Sequence, residues 1–411
     1  MMSKSKVPQI RFKGFSEEWE ERKIEDIGDL KNGMNFGKEA MGHGFPFVNL
    51  QDVFGKNIVN DNHLELAFSN ETQRKEYNLL KGDVLFIRSS VKTEGVGQTA
   101  IITKNLKDTT YSGFIIRFRP KIEMNLNFSR FIYTIPNIRK QILSSATSSA
   151  NTNINQESLN NIQLLIPNYL EQTKIGDYFQ QLDKLIEQKE KKYQKLKQFK
   201  KAMLNKMFPK NGDDTPEIRF KGFSSKWEEK SLSELIEYKN GKGHEDKQTL
   251  SGKYELINLN SISIDGGLKH SGKFVNETES TLNENDLVMV LSDVGHGDLL
   301  GRVALIPENN KFVLNQRVAL LRPFNNIIPQ FLFYNINVNQ KYFKMQGAGM
   351  SQLNISKSSV ESFISYIPSD LKEQQKIGNY FQKLDKQIEL QQKELEKLKN
   401  IKKASLSKMF V

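Results

Sequence analysis

The chain predicts an α+β fold made of two copies of one globule, joined by two long antiparallel coiled-coil helices into an approximately twofold dumbbell. Three observations carry this expectation. Residues 8–23, "PQIRFKGFSEEWEERK", recur as "PEIRFKGFSSKWEEKS" over 216–231, with Trp227 in the place of Trp19. Matched short segments follow in the same order in each half. Finally, each half closes on a long stretch rich in Lys, Glu, Gln and Leu that has the period of a helix.

The matched segments are "DLKNG" (29–33) with "EYKNG" (237–241), "FVNLQDV" (47–53) with "LINLNSI" (256–262), and "GDVLFIRSS" (82–90) with "NDLVMVLSD" (285–293). "GQTAII" (97–102) pairs with "GRVALI" (301–306), and "IIRFRP" (115–120) with "VALLRP" (318–323). An interval of about 200 residues is too long for a solenoid unit and marks a duplicated domain. These short β-branched and aromatic segments, broken by Gly, Asn and Asp, read as strands with some helix between them. The expected organisation is a globule over 1–166, a helix over 167–208, a linker over 209–215, a second globule over 216–367 and a second helix over 368–411.

The closing stretches, 171–208 and 373–410, lack proline and carry one glycine each, near the start. Their residue types are good helix formers. Apolar residues recur in steps of four and three at Ile175, Phe179, Leu182, Ile186, Tyr193, Leu196, Met203 and Met207, and again at Ile377, Phe381, Leu384, Ile388, Leu395, Leu398 and Met409. That spacing predicts a coiled-coil seam, interrupted at matching places by Lys189 and Gln391. The first helix would be roughly 55 Å long at 1.5 Å per residue. The linker after it is short, so the second helix must run back antiparallel to bury its seam. The pair would then act as a ruler.

Composition narrows the function. Lys+Arg exceeds Asp+Glu, 60 to 48, giving a net charge of +12 and a pI near 9.4. A basic folded chain suits a polyanion such as nucleic acid. Cysteine is absent, which removes disulfides and thiolate metal sites, and the five histidines form no ligand cluster in sequence. No 18-residue apolar run is present, so no membrane association and a cytoplasmic location are expected.

Catalytic signatures are missing or broken. Gly267, Gly272 and Lys273 have the spacing of a phosphate loop, but Phe274 stands where Ser or Thr should hold magnesium. "GHGDLLG" (295–301) misses the dinucleotide pattern by one residue, and "IPNY" (166–169) lacks two residues of the amino-methyltransferase loop. Neither catalysis, a bound metal nor a cofactor is expected in this chain.

What recurs is equipment for gripping nucleic acid. "FIRSSVKTEGVGQT" (86–99) carries Arg88, Ser89, Ser90, Lys92 and Thr93; its counterpart "VLSDVGHGDLLGR" (290–302) carries Ser292, Asp293, His296 and Arg302. The frames agree while the polar tips differ, as two domains reading different sequences would require. Arg, amide and Asp side chains are the usual partners of guanine, adenine and cytosine edges. Asn49 and Gln51, matched by Asn258 and Asn260, join these candidates. So do Asn151 and Asn153 in 144–158, and Gln346 and Gln352 in 344–359. On the residues alone a fused methyltransferase–nuclease and a coiled-coil adaptor that never touches DNA stay open, the missing motifs counting against the first.

At the repeated "EQ…KIG.YF..LD..I" helices the chain resembles the specificity (S) subunit of type I restriction-modification enzymes, over essentially its whole length. The P-x-x-L-E-Q start of each helix is present as Pro167, Leu170, Glu171 and Gln172. It recurs with one extra residue as Pro368, Leu371, Glu373 and Gln374. The resemblance implies a bacterial defence role for two target recognition domains, each reading half of a bipartite double-stranded DNA site. It also implies that the helices set the spacer and dock two modification (adenine methyltransferase) subunits. Those partners would bring S-adenosylmethionine, while restriction (translocase/nuclease) subunits joining through them would bring ATP and Mg. The opening stretch is nearly the same in both halves, so Arg11, Phe12 and Trp19, with Arg219, Phe220 and Trp227, are expected to anchor each globule on the helices and not to read bases.

Overall fold

The computed structural model describes residues 6–148, 151–210, 213–244, 246–294, 297–350 and 352–411. It divides into two compact units, Met1–Glu190 with Lys393–Val411, and Lys191–Gln392. Both boundaries fall inside the long helices, Tyr169–Met207 and Leu371–Lys408. Each unit is therefore one globule plus the start of one long helix and the end of the other.

The α+β class and the duplication are plain in the strand order. The first unit holds a four-stranded antiparallel sheet ordered Gly28–Asn32, Ile115–Pro120, Val84–Ile87, Thr99–Ile101. In the second the order is Ile236–Asn240, Val318–Pro323, Leu287–Val290, Val303–Leu305. The strands "VLFI" and "LVMV" are apolar throughout because both their faces are covered. Val84 and Phe86 enter one core and Leu85 and Ile87 another, as the twofold alternation of a strand requires. Leu287 and Met289 are likewise separated from Val288 and Val290. A smaller mixed sheet flanks each, with Met41–Val48 central in one unit and Tyr254–Ile257 in the other. Buried carboxylates brace both frames: Asp83 takes a two-pronged bond from Arg119, and Asp286 takes one from Arg322.

The start of each globule is tied to its end. Strand Glu20–Lys23 pairs with Gln163–Ile166, and Glu228–Ser231 pairs with Ile364–Ile367, immediately ahead of the long helices. Arg11 then reaches Glu171 through Nε and Nη2, both at 2.7 Å, and Arg219 reaches Glu373 at 2.6 and 2.7 Å. Both carboxylates are 1% exposed. Hydrogen bonding to Glu171 and Glu373 raises the two guanidinium pKa values. The neighbouring backbone caps the opposite helix, with Ile10 N donating to Lys408 O at 2.9 Å and Ile218 N to Lys206 O at 2.8 Å. Trp19 packs edge-on to Phe128 and Phe410, as Trp227 does to Phe331 and Phe208. The repeated opening stretch is thus a clamp that holds the start of one long helix, the end of the other and the globule together.

The Gln of each "EQ" ties the helix to the globule. Gln172 donates to Pro167 O and accepts from Asn125 N; Gln374 donates to Pro368 O and accepts from Ile328 N. Glu373 stands as far into its helix as Glu171 does, so the extra residue after Pro368 is absorbed ahead of Leu371. Asp183 joins Arg130 of its globule to Lys402 of the returning helix, and Asp385 joins Tyr334 to Lys200. Within each unit the helices run antiparallel, Tyr178 lying against Ser405 and Phe208 against Phe381.

Ile175, Phe179 and Leu182 are buried, as are Ile377, Phe381 and Leu384; Ile186, Leu196, Ile388 and Leu398 are half-buried further along the stripe. Ile175 and Phe179 lie in the core around Trp19 and Phe410, and Ile377, Phe381 and Leu384 in the core around Trp227 and Phe208. These side chains are used in packing the chain on itself. Lys189, where the apolar pattern breaks, pairs with Glu394 at 2.5 Å, and Gln391 is 8% exposed.

The lone helical glycines have a steric reason. A Cβ on Gly176 would lie 2.7 Å from Phe128 N and 2.8 Å from Asn125 Oδ1, and one on Gly378 would lie 2.9 Å from Gln330 Cβ. Alanine is the better helix former by about 1 kcal/mol. Gly176→Ala is nonetheless expected to lose about 1–3 kcal/mol through overpacking, and more than Gly378→Ala, which calorimetric unfolding would measure. Glu171→Ala, which leaves the half-buried Arg11 guanidinium without its carboxylate, should cost about 1–3 kcal/mol in urea unfolding. The double replacement Arg11→Met with Glu171→Met should recover much of that loss.

Candidate nucleic-acid interface

The central strand of each sheet runs out of its ladder into a polar segment. In the first globule Arg88 N donates to Phe114 O at 2.8 Å, one step past the last ladder pair, Ile87 with Ile115. Ser89 and Ser90 then pair with Asn153 and Thr152, which pair in turn with Thr147–Ser148. Two stretches more than fifty residues apart thereby form one ribbon. In the second globule Ser292, Asp293 and Val294 pair with Asn354, Leu353 and Gln352. The framing bonds repeat: Ile154 N donates to Arg88 O and Ile355 N to Leu291 O, both at 2.9 Å. Asn155 and Ser356 then cap the short helices that follow.

Within this common frame the side chains sort into supports and tips. Ser89 and Ser292 occupy the same place and are buried. Ser292 bonds Asn354 Oδ1 and accepts from Gln352 Nε2 at 2.5 Å. Asn153 donates to Asn151 O, and Thr93 meets Thr152 across the ribbon at 3.3 Å. Arg88 is half-buried and donates to Gly113 O at 3.3 Å, while Lys92 is exposed. Asp293 accepts from Val294 N and Leu299 N, both at 2.9 Å, and so organises its own loop. Arg302 donates to Asn337 O at 3.0 Å, and burial lowers its guanidinium pKa. Asn151 and Gln346 are exposed and Gln352 is half-buried; His296 lies outside the described residues.

The turns after the small-sheet strands lie beside this frame. Asn49 and Asn258 cap the 3-10 turns Leu50–Asp52 and Leu259–Ser261, with Asn49 Oδ1 accepting from Leu50 N and Asn258 Oδ1 from Asn260 N. Burial raises the Asp52 carboxyl pKa, an effect the Asn49 backbone amide partly offsets. Gln51 and Asn260 are exposed at corresponding places. Gly55 N donates to Gln98 Oε1 at 2.9 Å and so joins the turn to the loop after the ribbon. A third segment, 112–114 and 315–317, meets the other two. Ser112 N donates to Val48 O, and Asn315 N to Ile257 O. Sequence reasoning passed over this segment, though it directly precedes the matched strands "IIRFRP" and "VALLRP".

Among the described residues no group of three or more His, Asp or Glu could hold a metal ion, and no helix is long and apolar enough to cross a membrane. Each globule instead offers Arg, Lys, amide and hydroxyl groups on a braced β frame, which is chemistry suited to base edges and phosphates.

Residues 16–198 and 224–400 each match the family described as "Type I restriction modification DNA specificity domain". A Methanocaldococcus jannaschii chain described as the specificity subunit of the MjaX type I restriction enzyme is 23% identical, over 94% of this chain and 91% of its own length. The MjaVIII specificity subunit of the same organism is 26% identical over 45% of this chain and 42% of its own. Among solved structures, the S subunit of a type I restriction-modification system from M. genitalium aligns with a TM-score of 0.64 at 17% identity, covering 98% of this chain and 99% of that one. A chain from a structural study of type I R-M complex assembly and conformational transition aligns at 0.57 and 15%, covering 95% and 97%. The structural likenesses establish a shared fold. With the family match extending through both halves, the chain belongs to the specificity subunits of type I restriction-modification systems.

Proposed function

We propose that each globule reads one half of a bipartite double-stranded DNA site, and that the long helices set the gap between the halves and dock two modification subunits. The observation that carries this reading is the pairing of one frame with two sets of tips. Ser89/Asn153 and Ser292/Asn354 hold the ribbon in the same way in both globules, while Arg88 and Ser90 stand where the other carries Leu291 and Asp293. Shared supports keep the approach to the groove constant, and different tips change what is hydrogen-bonded there. The chain itself is non-catalytic in this reading. Methyl transfer from S-adenosylmethionine belongs to the modification subunits, and ATP- and Mg-dependent cleavage to restriction subunits that join through them.

Replacing residues 1–165 with those of a relative, in cells that also express the modification subunit, should change one half of the methylated site and spare the other. Long-read mapping of methylated adenine reads this out, and a change in both halves would contradict modular reading. Inserting one heptad at matching points of both helices keeps the stripe in phase and adds about 10 Å. The preferred gap should lengthen by up to about three base pairs at about 3.4 Å per pair; an unaltered gap would refute the helices as spacer.

A further inference from the structure

The arginine beside the ribbon changes strand between the two globules. One step past the ladder the first globule pairs Arg88 with Phe114, and the second pairs Leu291 with Arg317, the bonds Arg88 N to Phe114 O and Leu291 N to Arg317 O being equivalent. Each globule so has one arginine and one apolar residue at this register, on opposite strands. Arg317 is exposed and is, among the described residues, the one arginine whose guanidinium has no protein partner. Its backbone is held on both sides: Gln316 N donates to Asn315 Oδ1, Val318 N to Asn315 O, and Leu291 N to Arg317 O. Arg317 lines a shallow groove of about 230 Å³ with Asn258, Asn260, Asn315 and Gln316. The groove holds amides and a cation with no carboxylate to neutralise it.

An exposed guanidinium carried on a fixed backbone, free of internal partners and flanked by amides, can meet the two acceptors of a guanine in the major groove, where Arg is the commonest specific contact. Resting on the reading proposed above, we infer that Arg317 is a specificity-determining residue of the second globule, reading a guanine in its half-site. Arg88 is its counterpart, displaced by one cross-strand spacing of roughly 5 Å. The tilt between the strand pair and the DNA then decides which base pair each one meets.

The test uses the full chain co-expressed with its modification subunit, in cells that lack other adenine methylation. For Arg317→Ala and Arg317→Gln, one guanine position in one half-site should become degenerate, with a roughly five- to hundred-fold loss of discrimination and the other half unchanged. Arg317→Lys tests the two-pronged geometry and should relax the same position less. A wild-type half-site without guanine overturns the inference, as does an unchanged motif in the variants. Weakening that is uniform across all sites, with a shallower salt dependence, overturns it in favour of a phosphate contact. If exchanging residues 1–165 also leaves the motif intact, the half-site reading itself fails. If that exchange redirects methylation while the Arg317 variants do not, only the inference about Arg317 fails.

Discussion

Two buried ion pairs hold the rest of the structure in place. Arg11–Glu171 and Arg219–Glu373 bind an N-terminal segment of each globule to the first turn of a long helix, with each carboxylate almost wholly removed from water. A buried charge is tolerable only with its partner in good geometry, so loss of either member leaves the other uncompensated. Trp19 and Trp227 fill the apolar side of the same joint, and the Gln that follows each Glu ties it to the globule. Several features that recur between halves converge here: the clamp, the glycine that lets the helix approach, and the Asp that joins globule to returning helix.

The candidate contact residues lie elsewhere in each globule, around the end of the central strand pair. Three segments meet there and are braced by backbone bonds that repeat from one globule to the other. The frame residues spend their polar groups on one another, as Ser292 and Asn354 do. On this frame Arg88 and Ser90 of one half stand where the other carries Leu291 and Asp293. A specificity subunit gains from that division, since tips can change without loosening the frame.

The architecture was legible where it depends on local pattern. The four-and-three apolar spacing marks a buried helical stripe, and the short β-branched and aromatic segments between turn residues mark the strands. Parts that depend on tertiary proximity were not legible. Arg11 and Glu171 are 160 residues apart, and only their joint recurrence as Arg219 and Glu373 hints at a partnership. Residue type alone cannot separate a cap from a tip. Asn49 and Asn258 carry the right chemistry for a base edge yet cap turns, while Gln51 and Asn260, two residues on, are exposed. Arg317 escaped notice because its counterpart in the repeat is Phe114, and the exchange of an arginine across a strand pair is visible only in the register.

The claim that two copies of one frame read two different half-sites is tested most directly by missing-base interference on a methylated target, with the full chain bound alongside its modification subunit. The account predicts two short clusters of interfering bases, different in sequence and separated by a stretch whose bases can be lost without effect. A single continuous cluster, or interference at phosphates with none at bases, would contradict it.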